Sequence, residues 1–249
     1  MYIFDSAFQR EKVDNELRIL SYNIHHGATK EGRDSLDQIA LLIKELNADI
    51  IGLQEVDRFA ARSNFKDQIK VLAEKTGMEY VFGKTVNVPT GITGNAILSK
   101  YPIVTEDNFL LPSLLEQRAF VVGRIDINGT EIGVGVLHLG LNKYERIKQS
   151  ETIKSIVNSL NKEYILIGDM NSNDSSREVR ILSNKARDTA EASSGNINTF
   201  AYGSAEPNVR IDYIFTSNGF DVLSHKVVNV DYSDHIPVVA DVILKNQGE

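Results

Sequence analysis

The chain contains no cysteine. That absence excludes a disulfide framework, a thiolate metal site and a cysteine nucleophile. It also fits a reducing compartment, so a cytoplasmic setting is expected, with a secreted or periplasmic one open to a form made with a removable presequence. Positive charge is scarce: 27 basic residues face 34 acidic ones, leaving a net charge of −7. A protein that grips many phosphates along a duplex carries a basic face, and none is visible, so nucleic acid is not the favoured partner. An acidic chain that binds phosphate needs a cation as mediator. No apolar run approaches transmembrane length. The stretch from Met1 to Glu16 is polar and charged and lacks the apolar core of a signal peptide; residues 1–16 are expected to form a poorly ordered tail.

Linkers, repeats and low-complexity tracts are missing as well. One domain over residues 17–249, acting as a monomer, is therefore expected. Its 42% hydrophobic content is ordinary for a globular protein and can build a substantial core. Strand and helix signals mix from end to end. Leu17 to Tyr22 reads as a strand stopping at Asn23, and 49–53 as a buried strand ending at Gln54-Glu55. Between them Ser35 and Gln38 fit a capping box, followed by the stripe Leu36, Ile39, Ala40, Ile43, Leu46 of an amphipathic helix. Phe65, Ile69 and Leu72 mark a second helix, closed by Gly77. Strands are predicted over 95–99, 103–111, 119–127, 131–138, 164–168, 210–216, 220–231 and 236–244, with a hairpin at Asn128-Gly129 and a helix over 143–160. Hairpins mixed with helical crossovers argue for two mixed sheets covered by helices, not for a purely parallel sheet.

The common hydrolase and nucleotide motifs are absent: no Gly-x-Ser-x-Gly elbow, no His-Glu-x-x-His, and no P-loop. Gly91 to Asn95 is glycine-rich but reads as a turn before a strand. The loop from Asp169 fails as an EF-hand, because Asp174 holds the glycine position and Arg180 the final glutamate position. What is present is a set of polar residues at strand ends. Asn23, Glu55, His138 and Asp169 follow strands, Asp234-His235 precedes one, and Asp212 sits within an apolar run. A carboxylate in such a run is costly unless paired or metal-bound. If the last strand runs antiparallel, the strand-end groups can meet on one edge. Taken singly, Glu55 is a loop acid, Asp169 and Asn171 are turn formers, and His25, His26, His138 and His225 are structural histidines. Arg62 and Arg118 are ordinary surface residues, or planar forks for a phosphate.

The joint order is more specific. Ser21-Tyr22-Asn23-Ile24, Leu53-Gln54-Glu55-Val56-Asp57, His138-Leu139, Gly168-Asp169-Met170-Asn171, Arg210-Ile211-Asp212-Tyr213 and Ser233-Asp234-His235-Ile236-Pro237 together resemble the endonuclease/exonuclease/phosphatase superfamily over about 17–244. The resemblance implies a DNase I-like four-layer α/β/β/α sandwich with the site at one edge of two mixed sheets. It implies Mg²⁺ (Mn²⁺ or Ca²⁺ as substitutes) on Glu55, with Asn23 and Asp234 close by, and Asp212 orienting a catalytic His235. It implies Asp169 and Asn171 positioning water and phosphoryl oxygens, and His138 on phosphate; Arg62, Arg118 and Asn95 are the expected substrate contacts.

The implied activity is Mg²⁺-dependent hydrolysis of a phosphoester, a small phosphodiester or a phospholipid head group, by in-line attack of water. A DNase I-like nuclease and a catalytically silent binding module are the alternatives. Abasic-site endonucleases resemble Ser-Trp-Asn-x-Asp at the first motif and carry a tyrosine motif at the position of His138-Leu139, so that branch fits poorly. His235 has two open roles, base or phosphate stabiliser. Arg62-Ser63 with Asp67-Gln68, and Glu116-Gln117-Arg118, resemble pocket-shaping motifs of small bacterial hydrolases. Specificity is assigned to 59–66, 84–94 and 110–118.

Overall fold

The computed structural model describes residues 13–160 and 162–245. Residues 1–12 of the expected tail lie outside the described residues, and a turn from Val13 leads into Glu16. Along the chain run β1 (Glu16–Asn23), α1 (Leu36–Glu45), β2 (Ile50–Arg58), α2 (Gln68–Thr76), β3 (Glu79–Val88), β4 (Gly91–Ser99), β5 (Ile103–Leu110), β6 (Ala119–Ile127), β7 (Thr130–His138), α3 (Lys143–Ser159), β8 (Tyr164–Asp169), α4 (Arg177–Ser183), β9 (Arg187–Asp188), β10 (Asp212–Thr216), β11 (Phe220–Val227) and β12 (Val238–Leu244). One sheet has the order β11-β12-β1-β2-β4-β3 and the other β5-β6-β7-β8-β10-β9. Each holds one parallel pair, β1/β2 and β7/β8, bridged by a crossover helix, α1 or α3; their other pairs are antiparallel.

Period-two alternation assigns each strand face to a layer. In β1, Leu20 and Tyr22 join Leu36, Ile39 and Ile43 of α1 and Ile69 and Leu72 of α2 in one buried cluster. Leu17 and Ile19 point the other way, into a cluster shared with Val121, Val134, Ile165 and Ile214 of the second sheet. Beyond that sheet, Phe120, Leu137 and Leu166 pack on Ile153 and Val157 of α3 and Val179 and Leu182 of α4. The result is the expected α/β/β/α sandwich of two mixed sheets. Each fully buried Ile or Leu contributes about 1.5–3 kcal/mol, so the inter-sheet layer is what holds the two halves in register. At Gly52 the sheets approach so closely that a Cβ would stand 2.5 Å from Cγ2 of Ile167.

A buried ion pair ties two inner strands of the first sheet. Arg18 on β1 donates from Nε to Oδ1 of Asp241 on β12 at 2.7 Å, and from Nη1 to the Leu46 carbonyl at 2.7 Å. β12 is thereby fixed antiparallel to β1, with Ser21 opposite Val238.

Several sequence expectations change. Ser35 does stand at the N-cap of α1, but its hydroxyl donates to the Tyr232 carbonyl at 2.6 Å, and the Leu36 N–H is accepted by Asp34. The capping box is therefore replaced by a tether to the 228–237 segment. Phe65 lies before α2, exposed and with φ of 56°; Gly77 ends that helix in the left-handed region as expected. Gly91 to Asn95 is strand, not turn, because β3 pairs with it, and the expected 84–94 loop is a hairpin turning at Pro89-Thr90. The strand expected to end at Gln54-Glu55 continues to Arg58 through a bulge. β11 stops at Val227, and β12 starts at Val238.

Candidate functional site

Both sheets end at the same edge. Asn23 closes β1, His138 closes β7, Asp169 closes β8 and Asp212 opens β10. The antiparallel β12 is entered from Asp234-His235 on that same side. Glu55 arrives differently. Gln54 and Glu55 of β2 oppose Asn95 alone on β4, and this two-against-one bulge puts Glu55 at φ 57°. A left-handed non-glycine residue in a bulge re-aims its side chain at some backbone cost.

These groups surround a cavity of about 340 Å³ lined by Glu55, Asn95, Arg118, His138, Asp169, Asn171, Asp234 and His235, with Arg62 and Glu116 at its wall. Its remaining lining includes Thr85, Val86 and Val88 of β3, together with Leu141 and Phe200.

His235 is the most constrained group. Its Nδ1 lies 2.9 Å from Oδ2 of Asp212, and its Nε2 3.7 Å from Oδ2 of Asp169. The Phe200 ring packs beside the imidazole at 4.9 Å between centroids. Asp212 is aimed by Thr199, whose Oγ1 accepts the Asp212 N–H at 3.3 Å. Burial acts to lower the imidazole, but the Asp212 charge and hydrogen bond, joined by Asp169 and Asp234, outweigh it and push it up to about 10. The Asp169 carboxyl moves upward as well, to about 7, through burial and the neighbouring Asp212 charge. Asp169, Asp212 and His235 offer ligand atoms within 4.8 Å of one another.

Asn23 links the two sheets. Its Nδ2 lies 3.1 Å from Oε1 of Glu55 and 3.2 Å from Oδ2 of Asp169. Asp234 is half-buried, with its Oδ1 accepting from the Ser233 hydroxyl at 3.2 Å. The donors on offer are carboxylate and amide oxygens, with no thiolate in the chain, which suits a hard divalent cation. Buried Oδ1 of Asp212 has no protein partner, and burial with the Asp212 charge raises the Asp169 carboxyl, so a cation fits this acid-rich pocket.

Asn171, in the left-handed region at φ 48°, has its N–H accepted by Oδ1 of Asp169 at 2.7 Å. Its Nδ2 donates to the Leu139 carbonyl at 2.9 Å and stands 3.0 Å from Nε2 of His138. Arg118 contacts Nδ1 of the same ring at 3.1 Å and Glu116 at 3.0 Å. Burial first, then the Arg118 and His235 charges, hold His138 well below the usual histidine range.

Arg62 differs from the expectation of a free phosphate fork. Its Nε and Nη2 both bind the buried Asp57 at 2.8 Å, so the bidentate face is taken and only its flank lines the cavity. Asn95 lines the cavity while its Nδ2 donates to the Ala119 carbonyl at 2.9 Å. Ser63, Asp67 and Gln68 stand outside the cavity lining; Gln68 instead accepts the Asp57 N–H at 2.8 Å, and Asp67 pairs with Arg58 at 2.7 Å. His25 and His26 lie in a 3₁₀ turn, and His225 is buried on β11. Sequence reasoning passed over Thr199, Phe200 and Leu141, and reached Thr85, Val86 and Val88 only within the 84–94 stretch assigned to specificity. The 189–209 stretch carries no periodicity, and its one signal, a Thr-Phe pair amid polar residues, is weak.

Two mixed sheets with helices outside and this acid-histidine edge define a DNase I-like phosphoesterase architecture. The chain belongs to the Endonuclease/Exonuclease/phosphatase family, whose profile matches residues 20–235. Among curated relatives, YbhP of Escherichia coli K12 is 30% identical over 169 residues, covering 62% of this chain and 66% of that protein. The chain thus spans just under two thirds of that relative's length. An endonuclease/exonuclease/phosphatase structure from Beutenbergia cavernae superposes with a TM-score of 0.80 at 24% identity, over 93% of this chain and 72% of the other. A mannosyl-6-phosphatase from Bacteroides thetaiotaomicron gives 0.77 at 21% identity, over 92% and 100%. These structural likenesses establish the fold alone. No helix among the described residues is long and apolar enough to cross a membrane.

Proposed function

We propose that this protein is a Mg²⁺-dependent hydrolase of a small phosphodiester or of a phospholipid head group, cleaving by in-line attack of water. The observation that carries the reading is the Asp212–His235–Asp169 constellation, which adjoins Arg118, His138 and Asn171 at one cavity. Glu55, with Asn23 and Asp234, would hold the cation. When bound, Mg²⁺ supplies polarisation of a phosphoryl oxygen and charge neutralisation at the leaving oxygen.

The chain's own groups divide the remaining work. Asp212 fixes the His235 ring through Nδ1, so Nε2 faces Asp169. These two groups hold a proton between them and accept the one released by the attacking water, a step that contributes typically about 10²–10⁴-fold. Nε2 of His138 and Nδ2 of Asn171 lie 3.0 Å apart on the cavity wall, and both are assigned as donors to the developing phosphoryl charge. The cavity volume of about 340 Å³ suits a head group.

The test is hydrolysis of bis-p-nitrophenyl phosphate with Mg²⁺. Turnover abolished by chelator and by His235→Ala is expected. Turnover that persists unchanged in Glu55→Ala or His235→Ala defeats the reading.

A further inference from the structure

The most exposed large apolar side chains among the described residues are not scattered. Leu114 is 83% exposed, Leu115 80%, Tyr144 77%, Tyr202 75% and Leu141 73%. Leu114 and Leu115 lie in the loop joining β5 to β6, while Leu141 and Tyr144 flank the start of α3. The two loops are bolted together from beneath by buried polar groups. The Glu145 carboxylate accepts the N–H of Leu114 and, at 3.1 Å, that of Leu115. Gln149 accepts the Gly140 N–H at 2.9 Å and donates to the Pro112 carbonyl at 2.9 Å. Asn142 caps α3 by accepting the Tyr144 N–H at 2.9 Å. Fixed backbones thus hold leucines outward in water, although apolar surface is stabilised by leaving it. Single exposed leucines are ordinary, but a cluster marks a contact surface.

The position of the cluster says what it contacts. Leu141 lines the catalytic cavity beside His138 and Asn171. Tyr202 lines the adjoining groove, which runs from Asn171 past Lys143, Arg177 and Arg180. Leu141 and the leucine loop bolted to its segment therefore lie beside the cavity that substrate enters. A protein seated there would bar the substrate, whereas a lipid surface seated there delivers it. The chemistry matches in both parts: leucines and tyrosines at the level of the acyl boundary, with cations alongside for head-group phosphates.

We infer that the 110–118 and 139–144 loops dock the protein on a phospholipid bilayer, and that its substrate is a phosphoester carried at that surface. This rests on the phosphoesterase reading of the site and narrows its substrate class.

The full chain lacks tryptophan, so Leu115→Trp supplies a single reporter. With vesicles of phosphatidylcholine and phosphatidylglycerol, its emission should move to shorter wavelength. Wild-type protein should sediment with the vesicles, and Leu114→Ser/Leu115→Ser should lose at least about tenfold in partitioning, two leucine burials being removed. The same double variant should hydrolyse soluble bis-p-nitrophenyl phosphate within about twofold of wild type, because neither leucine lines the cavity. Unshifted emission, or equal sedimentation of wild type and double variant, overturns the docking surface. So does a rim that drives self-association in the absence of vesicle binding. Failure to hydrolyse the soluble ester in wild type strikes the phosphoesterase reading separately, whatever the vesicles show.

Discussion

Arg118 reaches Nδ1 of His138 across 3.1 Å, and this contact fixes where the imidazole carries its proton. A guanidinium only donates, so against Arg118 Nδ1 accepts and Nε2 holds the hydrogen, which sets the 3.0 Å contact between Nε2 and the Asn171 amide nitrogen donor against donor. Nε2 faces Oδ2 of Asp169 at 3.4 Å. The ring is thus kept neutral and turned donor-first into the cavity.

Replacing Arg118 by Met should release that tautomer. The ¹⁵N shifts of His138 should change from an Nε2–H pattern to a mixture, and kcat should fall by about 10²-fold through misplacement of the donor. An unchanged ¹⁵N pattern in the variant would show that Arg118 does not set the ring.

Asp212→Asn should leave the fold intact and cost about 10²–10⁴ in kcat/KM, because the imidazole loses the charge that orients it. Circular dichroism checks the fold and ester hydrolysis the rate. Wild-type turnover in a folded variant would remove Asp212 from the mechanism.

Glu55→Gln keeps the size of the side chain and the bulge that aims it, but removes the charge. The Mg²⁺ concentration giving half-maximal activity should rise at least about tenfold. A metal titration superimposable on that of wild type would place the cation elsewhere.

His225 predicts an acid-stability effect of definite sign. Its Nδ1 lies 2.8 Å from the Thr189 hydroxyl, which itself donates to the Ile214 carbonyl at 3.0 Å, so Nδ1 carries the ring's one proton. Nε2 is buried without a partner, and burial first, then Arg210, lowers the group to about 4. The unfolded chain binds this proton more readily. Stability is therefore complete above pH ~6.5 and declines as pH falls toward 4, by up to about 3 kcal/mol. The gap in urea midpoint between pH 7.5 and 4.5 should narrow in His225→Gln relative to wild type; an equal gap would refute the assignment.

Gly52→Ala places a Cβ 2.5 Å from Ile167 and 2.9 Å from Val136 across the sheet interface. Overpacking of this kind costs about 1–3 kcal/mol. Urea unfolding should show a lower midpoint with an unchanged slope.

The strands and helices with clear periodicity were legible in the sequence, α1 and β6 above all, because their apolar spacing follows the layer they face. The strand-end acids and histidines were legible as a set because topology gathers strand ends. Glu55 was misplaced in its local structure, since nothing in Leu53-Gln54-Glu55-Val56 announces a bulge. β3 was missed because its buried face carries Gly83 and Thr85 beside Val81 while the outer face carries the apolar Tyr80, Phe82 and Val86, so the sequence pattern does not follow burial. Arg62 was read as free because Asp57, five residues earlier, carried no sign that it would be buried beneath it. Thr199 and Phe200 were invisible because their contacts to Asp212 and His235 are purely tertiary.

The place of β12 between β1 and β11 has a consequence for the protein's birth. As the chain leaves the ribosome, Asn23 and Glu55 of the first sheet emerge first, and the second sheet with Asp169 and Asp212 follows. The first sheet then waits open at β1, since its partner strand is synthesised last of those described. His235 arrives only on the segment that leads into that strand. A nascent chain therefore carries the acids without the imidazole beside them until the segment leading into β12 has been made.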